Sequence, residues 1–481
     1  MLKKSIKKNY IYNVLYQILT IMIPLITTPY ISRILEADGV GTVSYIRSVE
    51  TYFGLVAALG ISKFGQREIS YVQDDKEKRT EIFWNVCVLQ LITSSIAIIA
   101  YIIFSIFQKN MIFYLVLSFN LVSIMIDITW FFQGIEQFGK IVLRNIVIKG
   151  IEVIFIFGVV HDRGDIVWYM LGPSLLGVIS NLTLWFYLPE YVFKPCISKL
   201  RPFFKFKIVL SLFIPNVAIS LYIALDKIML GIIAKNSFEN GYYEQAIKIS
   251  KITIGIITAL GTVMIPRIGY YYGKRDFATV KGYMYRSYRF VWFLGIPLCF
   301  GLIGIAENFV PWFLGQNFMK VTILLSILGF LIPVIGLSNV TGTQYLISTE
   351  RQNLLTLSVM IGAGCNIILN IILIPKYQSI GAAIATLIAE AMISVSQLIM
   401  VRKELSVKKV CYSICPYLFA SVVMFVVLKY INSFLSPTYK HTIVMIISGT
   451  VIYFFLIFIL RDDFFMENIR SVLLHFRKKG K

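Results

Sequence analysis

Eleven ionisable side chains interrupt the long apolar stretches of this chain: Arg47, Lys149, Lys227, Lys248, Lys251, Glu50, Asp127, Glu152, Asp226, Glu244 and Glu390. A charge at the centre of a membrane helix costs about 2.5–3.5 kcal/mol on insertion scales, so such groups are expected to pair with one another or to face a watery cavity. Glu244, Lys248 and Lys251 follow one another at spacings of four and three, which places them on one narrow helical face. Arg47 with Glu50 and Lys149 with Glu152 are each three apart, so each pair has the spacing to neutralise itself within one helix. Arg47 also has a planar fork of donors, the geometry that grips a phosphate at two points.

Several other patterns carry less chemistry. Residues 134–140 spell GxxxxGK, but Ile141 stands where a nucleotide-binding loop needs Ser or Thr, and no strand precedes it. His161, His441 and His475 fall in loops or the tail, away from any ligand set, and no metal or cofactor site is expected. Cys411 and Cys415 share a helical face without the spacing of a zinc or disulfide framework. Nothing pairs a nucleophile with a base, and an enzyme is not expected.

The elements that must position these charges follow from composition. The 481 residues are 57% hydrophobic and 15% charged, with a mean hydropathy of +0.76, which is an integral membrane protein rather than a string of soluble domains. Fourteen stretches are long enough to cross a bilayer as helices, the first six near 11–31, 42–61, 82–106, 111–132, 141–160 and 166–188. The remaining eight lie near 209–233, 243–265, 290–306, 321–347, 354–374, 380–401, 411–428 and 442–460.

The net charge of +21 does not mark a nucleic-acid groove, because its cations lie between apolar segments. With the loops assigned to alternate sides, 33 of the 46 Lys and Arg fall on the side that holds both termini, eight on the other side and five within spans. The positive-inside rule then makes both termini cytoplasmic. Lys3, Lys4, Lys7 and Lys8 open the chain as in a signal peptide, but the apolar run continues to Ile31 without a small-residue cleavage site, so an uncleaved first span is expected. Between spans eight and nine, Arg267, Lys274, Arg275, Lys281, Arg286 and Arg289 alternate with six tyrosines, the pattern of a surface helix on anionic lipid.

A shift of 201 positions aligns Gly54, Ala58, Leu59 and Gly60 with Gly255, Ala259, Leu260 and Gly261, and places Arg47 on Lys248. Two six-helix bundles of like orientation are therefore expected over 1–200 and 201–405, related by a pseudo-twofold axis along the membrane normal, with two further helices and a basic tail over 406–481. Prolines at 24, 173, 215, 297, 333 and 416 within the spans suggest kinks. Trp130, at the end of span four, has the placement of an interfacial aromatic.

The opening run with Asn13, Gln17, Pro24, Pro29, Tyr30, Ser32, Arg33, Gly39 and Gly41 resembles the start of Wzx-type repeat-unit flippases, the polysaccharide transporters of the MOP exporter superfamily. Asp127, Trp130, Gln133, Gly134 and Glu136 resemble that family's fourth span, and Asp226, Lys227, Gly231, Gly241 and Tyr243 its seventh and eighth. Asn366, Asn370, Pro375, Lys376, Gly381, Ala382 and Glu390 are similar to its eleventh and twelfth. The resemblance, from about residue 9 to 401, implies movement of undecaprenyl-pyrophosphate-linked oligosaccharide to the outer leaflet of the cytoplasmic membrane for capsule, exopolysaccharide or O-antigen assembly, beside a polymerase and other assembly proteins. Arg33, Arg47, Lys227, Lys248 and Lys251 would then hold pyrophosphate or acidic sugars, Asn13, Gln17 and Gln344 would meet sugar hydroxyls, and Asp127, Asp226 or Glu244 would couple transport to a cation gradient. Lipid II flippases and multidrug exporters of the superfamily are the nearest alternatives; an intramembrane glycosyltransferase or polymerase would need a large outer loop that this chain lacks.

Overall fold

The structure, a computed structural model, describes residues 6–468 and 470, without the side chains of 6–19, 21, 199, 212, 214–223 and 262. The described residues are mostly helical, with no strand among them. Nine of their helices are long and apolar enough to cross a membrane. The stretches expected near 354–374 and 380–401 run together into one of these helices, charges interrupt the stretch near 141–160, and those near 11–31 and 209–233 include residues outside the described side chains. The all-α membrane architecture follows directly from composition, since a helix satisfies its own backbone where lipid offers no hydrogen bonds. On α3 (Lys76–Ile106), Ile96, Ile99, Ile103 and Ile106 form one exposed apolar face, as a lipid-facing surface requires.

The chain divides into two compact units, Met1–Gly231 with Asn236–Gly241, and Ile232–Lys235 with Tyr242–Lys481. The first contains α1 (Ile6–Ala58), α2 (Ile61–Ser70), α3, α4 (Met111–Met125), α5 (Thr129–Gly134), α6 (Phe138–Val159), α7 (Ile166–Trp185) and most of α8 (Phe206–Ala234). α8 packs with the first unit: Ile228 joins the apolar cluster of Val43, Ile46 and Leu117, and a Cβ on Gly231 would strike the Tyr45 ring. The first turn of α9 (Ser237–Gly273) lies against α1 at backbone contact. A Cβ on Gly41 would fall on the Ser237 carbonyl and one on Gly241 on the Ala37 carbonyl, so only glycine fits at either place. Asp38 accepts a hydrogen bond from Ser237 there and pairs with Arg163 at 2.6 Å.

The second unit holds the rest of α9, then α10 (Phe277–Phe313), α11 (Lys320–Leu328), α12 (Leu331–Ser338), a π-helical segment at Asn339–Leu346, α13 (Gln352–Met400), α14 (Val407–Tyr412), α15 (Cys415–Asn432) and α16 (Tyr439–Ile459). Residues 406–468 are part of this unit, because α15 and α16 pack on α10 and on each other. Tyr453 donates to the Phe293 carbonyl at 2.6 Å and Trp292 to that of Val410 at 2.9 Å. Arg351, just before α13, forks onto Glu404, just after it, at 2.7 and 2.8 Å. That fork, with a further hydrogen bond from Tyr345, holds the Glu404 carboxyl below the usual carboxylate range.

The 201-residue repeat reappears in local structure. Asp75 caps α3 by accepting from the amides of Glu77 and Lys78, and Asp276, 201 positions on, caps α10 by accepting from that of Thr279. α1 and α13 break sharply at Glu36 and Gln378, both in left-handed backbone (φ 54° and 52°), between the stretches expected at 11–31 and 42–61 and at 354–374 and 380–401. One expectation about the helices needs correcting. The basic, tyrosine-rich stretch at 267–289 is no separate surface helix; it forms the ends of α9 and α10 around a short turn at 274–276.

Candidate functional site

In the first unit, the residues of the second half of α1 meet α3, α4, α7 and α8. Arg47 is half-buried, with its guanidinium carbon 5.3 Å from the centroid of the Tyr169 ring on α7. One turn on, Glu50 is 8% exposed, lies within electrostatic reach of Arg47 and takes a hydrogen bond from Asn120 of α4. Tyr101 of α3 is fully buried near Glu50, and its hydroxyl has no hydrogen-bond partner among the described residues. Asp226 of α8 is buried within electrostatic reach of Tyr52. The apolar faces of α1, α3 and α4 that close around Leu117 and Leu121 thus hold a cation, two carboxylates and several phenols in a low-dielectric setting. An arginine held by an aromatic face and a carboxylate three residues away has donors in reserve for a second acid, the arrangement a passing phosphate needs.

Span four is built differently from the sequence expectation. Trp130 is 1% exposed and forms no interfacial belt; its ring stacks on Phe83 at 5.6 Å and its indole N–H donates to Gln90 at 3.0 Å. Gln90 in turn donates to the carbonyls of Ile124 and Asp127 at 2.5 and 2.9 Å, which satisfies the backbone freed by the break between α4 and α5. Asp127 accepts from the Thr129 amide at 2.8 Å, so its carboxylate stabilises the start of α5. Beside it Arg144, which sequence reasoning missed, reaches Thr129 at 3.4 Å and Asn181 at 3.2 Å. Arg144 sits near the start of α6, and a sequence reading treats a cation there as belonging to a loop.

Lys149 and Glu152 form a 2.5 Å ion pair within α6. Lys227 is half-buried beside Asp226, and Arg33 is exposed on α1, three residues before the break at Glu36. Asn13 and Gln17 lie outside the described side chains.

In the second unit, Glu244 and Lys248 are half-buried on α9 and Lys251 is exposed. Lys248 makes no ion pair among the described residues. On the same helix, Tyr243 meets Thr386 of α13 at 2.8 Å, and Thr386 donates to the Ala382 carbonyl. Asn370 donates to Asn366 at 3.0 Å, while the Asn366 amide nitrogen is buried without a partner among the described residues. Glu390 is half-buried on α13. Gln344 is 1% exposed in the π-helical segment, where it bonds Asn339, so it has no open surface for a sugar.

The apolar helices and the charges held among them define a multi-span helical membrane protein. Among solved structures the chain is similar to the inward closed conformation of lipid II flippase MurJ, with a TM-score of 0.73, 16% identity, and 94% of this chain and 99% of that one covered. It also resembles an inward-facing multidrug resistance MATE family transporter of the MOP superfamily, with a TM-score of 0.62, 14% identity, and coverage of 82% and 98%. The sequence model of the family described as "Polysaccharide biosynthesis protein" matches residues 6–271, more than half of the chain, and the chain belongs to that family. A relative from Escherichia coli (strain K12), "Putative O-antigen transporter", is 25% identical over 412 residues, which is 84% of this chain and 98% of the relative. Another of the same name from Shigella dysenteriae is 22% identical over 397 residues, 80% and 98% of the two chains.

Proposed function

We propose that this protein is a flippase that carries undecaprenyl-pyrophosphate-linked oligosaccharide repeat units across the cytoplasmic membrane for cell-surface polysaccharide assembly. Membership of the polysaccharide biosynthesis family carries the reading, and relatives named for O-antigen transport, matched over nearly their whole length, support it. Arg47 is the residue best suited to the pyrophosphate, because Tyr169 and Glu50 hold its guanidinium in place inside the membrane while leaving donors available. Lys248, its counterpart in the repeat, is a second candidate cation, in the other unit. The lipid tail remains in the bilayer throughout, so the protein needs to shield only the headgroup.

Both termini lie in the cytoplasm on the basic-loop pattern, and alternating access is driven by a cation gradient through Asp226, Glu244 or Asp127. Of the three, Asp226 is favoured: it is buried at 4% exposure, whereas Asp127 already serves the start of α5. The role is transport rather than catalysis. Deleting the gene tests the proposal in cells. Lipid-linked repeat units should accumulate on the inner leaflet and surface polysaccharide should fall, with recovery on re-expression; normal surface polysaccharide without the protein would refute it.

A further inference from the structure

A cavity of about 510 Å³ opens between α10, α14, the start of α15 and the segment after α16. Its floor is electrostatically complete: Arg289 pairs with Asp462 at 2.8 Å, and the Tyr417 hydroxyl accepts from Arg289 at 3.0 Å and donates to Asp462. Its wall is fixed by the Ser406 amide, which donates to the Tyr285 hydroxyl at 2.8 Å, and by the Lys409 ammonium 4.6 Å from the Tyr285 ring. Arg286 and Lys409 also line it, both exposed and neither in an ion pair among the described residues. Glu467 is the remaining carboxylate of the lining, so the open positions carry an excess of positive charge.

The location narrows the occupant. The cavity belongs to the basic side of the chain, beside Lys281, Arg402, Lys403 and Lys408, and it adjoins the point where α15 begins an apolar run. Tyr412 at its rim is 83% exposed, and from there Phe419, Val422 and Val426 form an exposed apolar stripe along α15 at spacings of three and four. A cationic pocket continuous with an apolar stripe matches a molecule with an anionic head and hydrocarbon tails.

We propose that this cavity binds the headgroup of an anionic glycerophospholipid, its phosphate between Arg286 and Lys409 and its acyl chains along α15. The bound lipid fastens the last two helices to α10. Native mass spectrometry of the full-length protein, titrated with phosphatidylglycerol and separately with phosphatidylcholine, tests this. The first phosphatidylglycerol should bind tighter than phosphatidylcholine, R286Q/K409Q should weaken it about 30-fold, and R286K/K409R should restore it. Inorganic phosphate should not displace it. Equal affinity for the two lipids would overturn the proposal by itself, whatever the folding of the variants; so would unchanged binding in the Gln variant, and displacement by phosphate would make this a soluble-anion site.

Discussion

Replacing Arg47 separates a packing role from a substrate role only if Glu50 is changed with it. Glu50 is 8% exposed and has Arg47 as its nearby cation, so Arg47→Ala leaves a buried carboxylate uncompensated. Breaking one partner of a buried pair costs about 3–5 kcal/mol. Arg47 is only half-buried and Asn120 still bonds Glu50, so the lower end, about 3 kcal/mol, is expected. The double variant R47A/E50Q removes the stranded charge and retains the Asn120 hydrogen bond, and it should return to within about 1 kcal/mol of the wild type in detergent unfolding. Transport should not return, because a lost charge-assisted contact to phosphate is worth about 1.5–3 kcal/mol, or roughly a 10- to 150-fold slower rate. Protein-dependent flipping at the wild-type rate in R47A/E50Q would show that Arg47 merely neutralises Glu50, and the phosphate assignment would fall.

Three further outcomes follow from the packing. Gln90→Leu strands the Trp130 indole N–H and the carbonyls at the break after α4, and should destabilise the protein by about 2–4 kcal/mol in thermal unfolding; Q90L/W130F should recover part of that loss, whereas a loss under about 0.5 kcal/mol would deny the staple. Gly241→Ala forces a methyl onto the Ala37 carbonyl and should cost about 1–3 kcal/mol, which proteolysis of the detergent-solubilised protein would detect. The Glu404 carboxyl has a lowered pKa in the folded state, so its contribution is present above the unfolded carboxylate range and is lost as pH falls through the folded value. Glu404→Gln should therefore be less stable than wild type at neutral pH, with the gap closing below about pH 4; a gap constant down to pH 3 would contradict this.

The sequence made the membrane class, the charged pairs and the 201-residue repeat readable, because each depends on composition or on spacing within one helix. Lys149 with Glu152 and the α9 stripe are local patterns, and helix geometry alone places them. What it hid were partners remote in the chain. Gln90 is a single polar residue in an apolar helix, and its role appears only when Trp130, 40 positions away, is brought against it. Trp130 has the composition of an interfacial residue and the environment of a core one. The breaks at Glu36 and Gln378 fall in the gaps between apolar stretches that the sequence already separated, although neither residue is a proline or glycine that would mark the exact position. Arg144 escaped notice because its partners Thr129 and Asn181 lie on two other segments.

The most direct test of the flippase reading is the leaflet accessibility of radiolabelled undecaprenyl-pyrophosphate oligosaccharide in vesicles containing the purified protein, under an imposed proton or sodium gradient. The account predicts protein-dependent transfer between leaflets that one of the two gradients accelerates and that R47A/E50Q slows roughly 10- to 150-fold. No transfer of any lipid-linked glycan, alongside gradient-driven efflux of small cationic dyes, would contradict it and indicate a multidrug exporter instead.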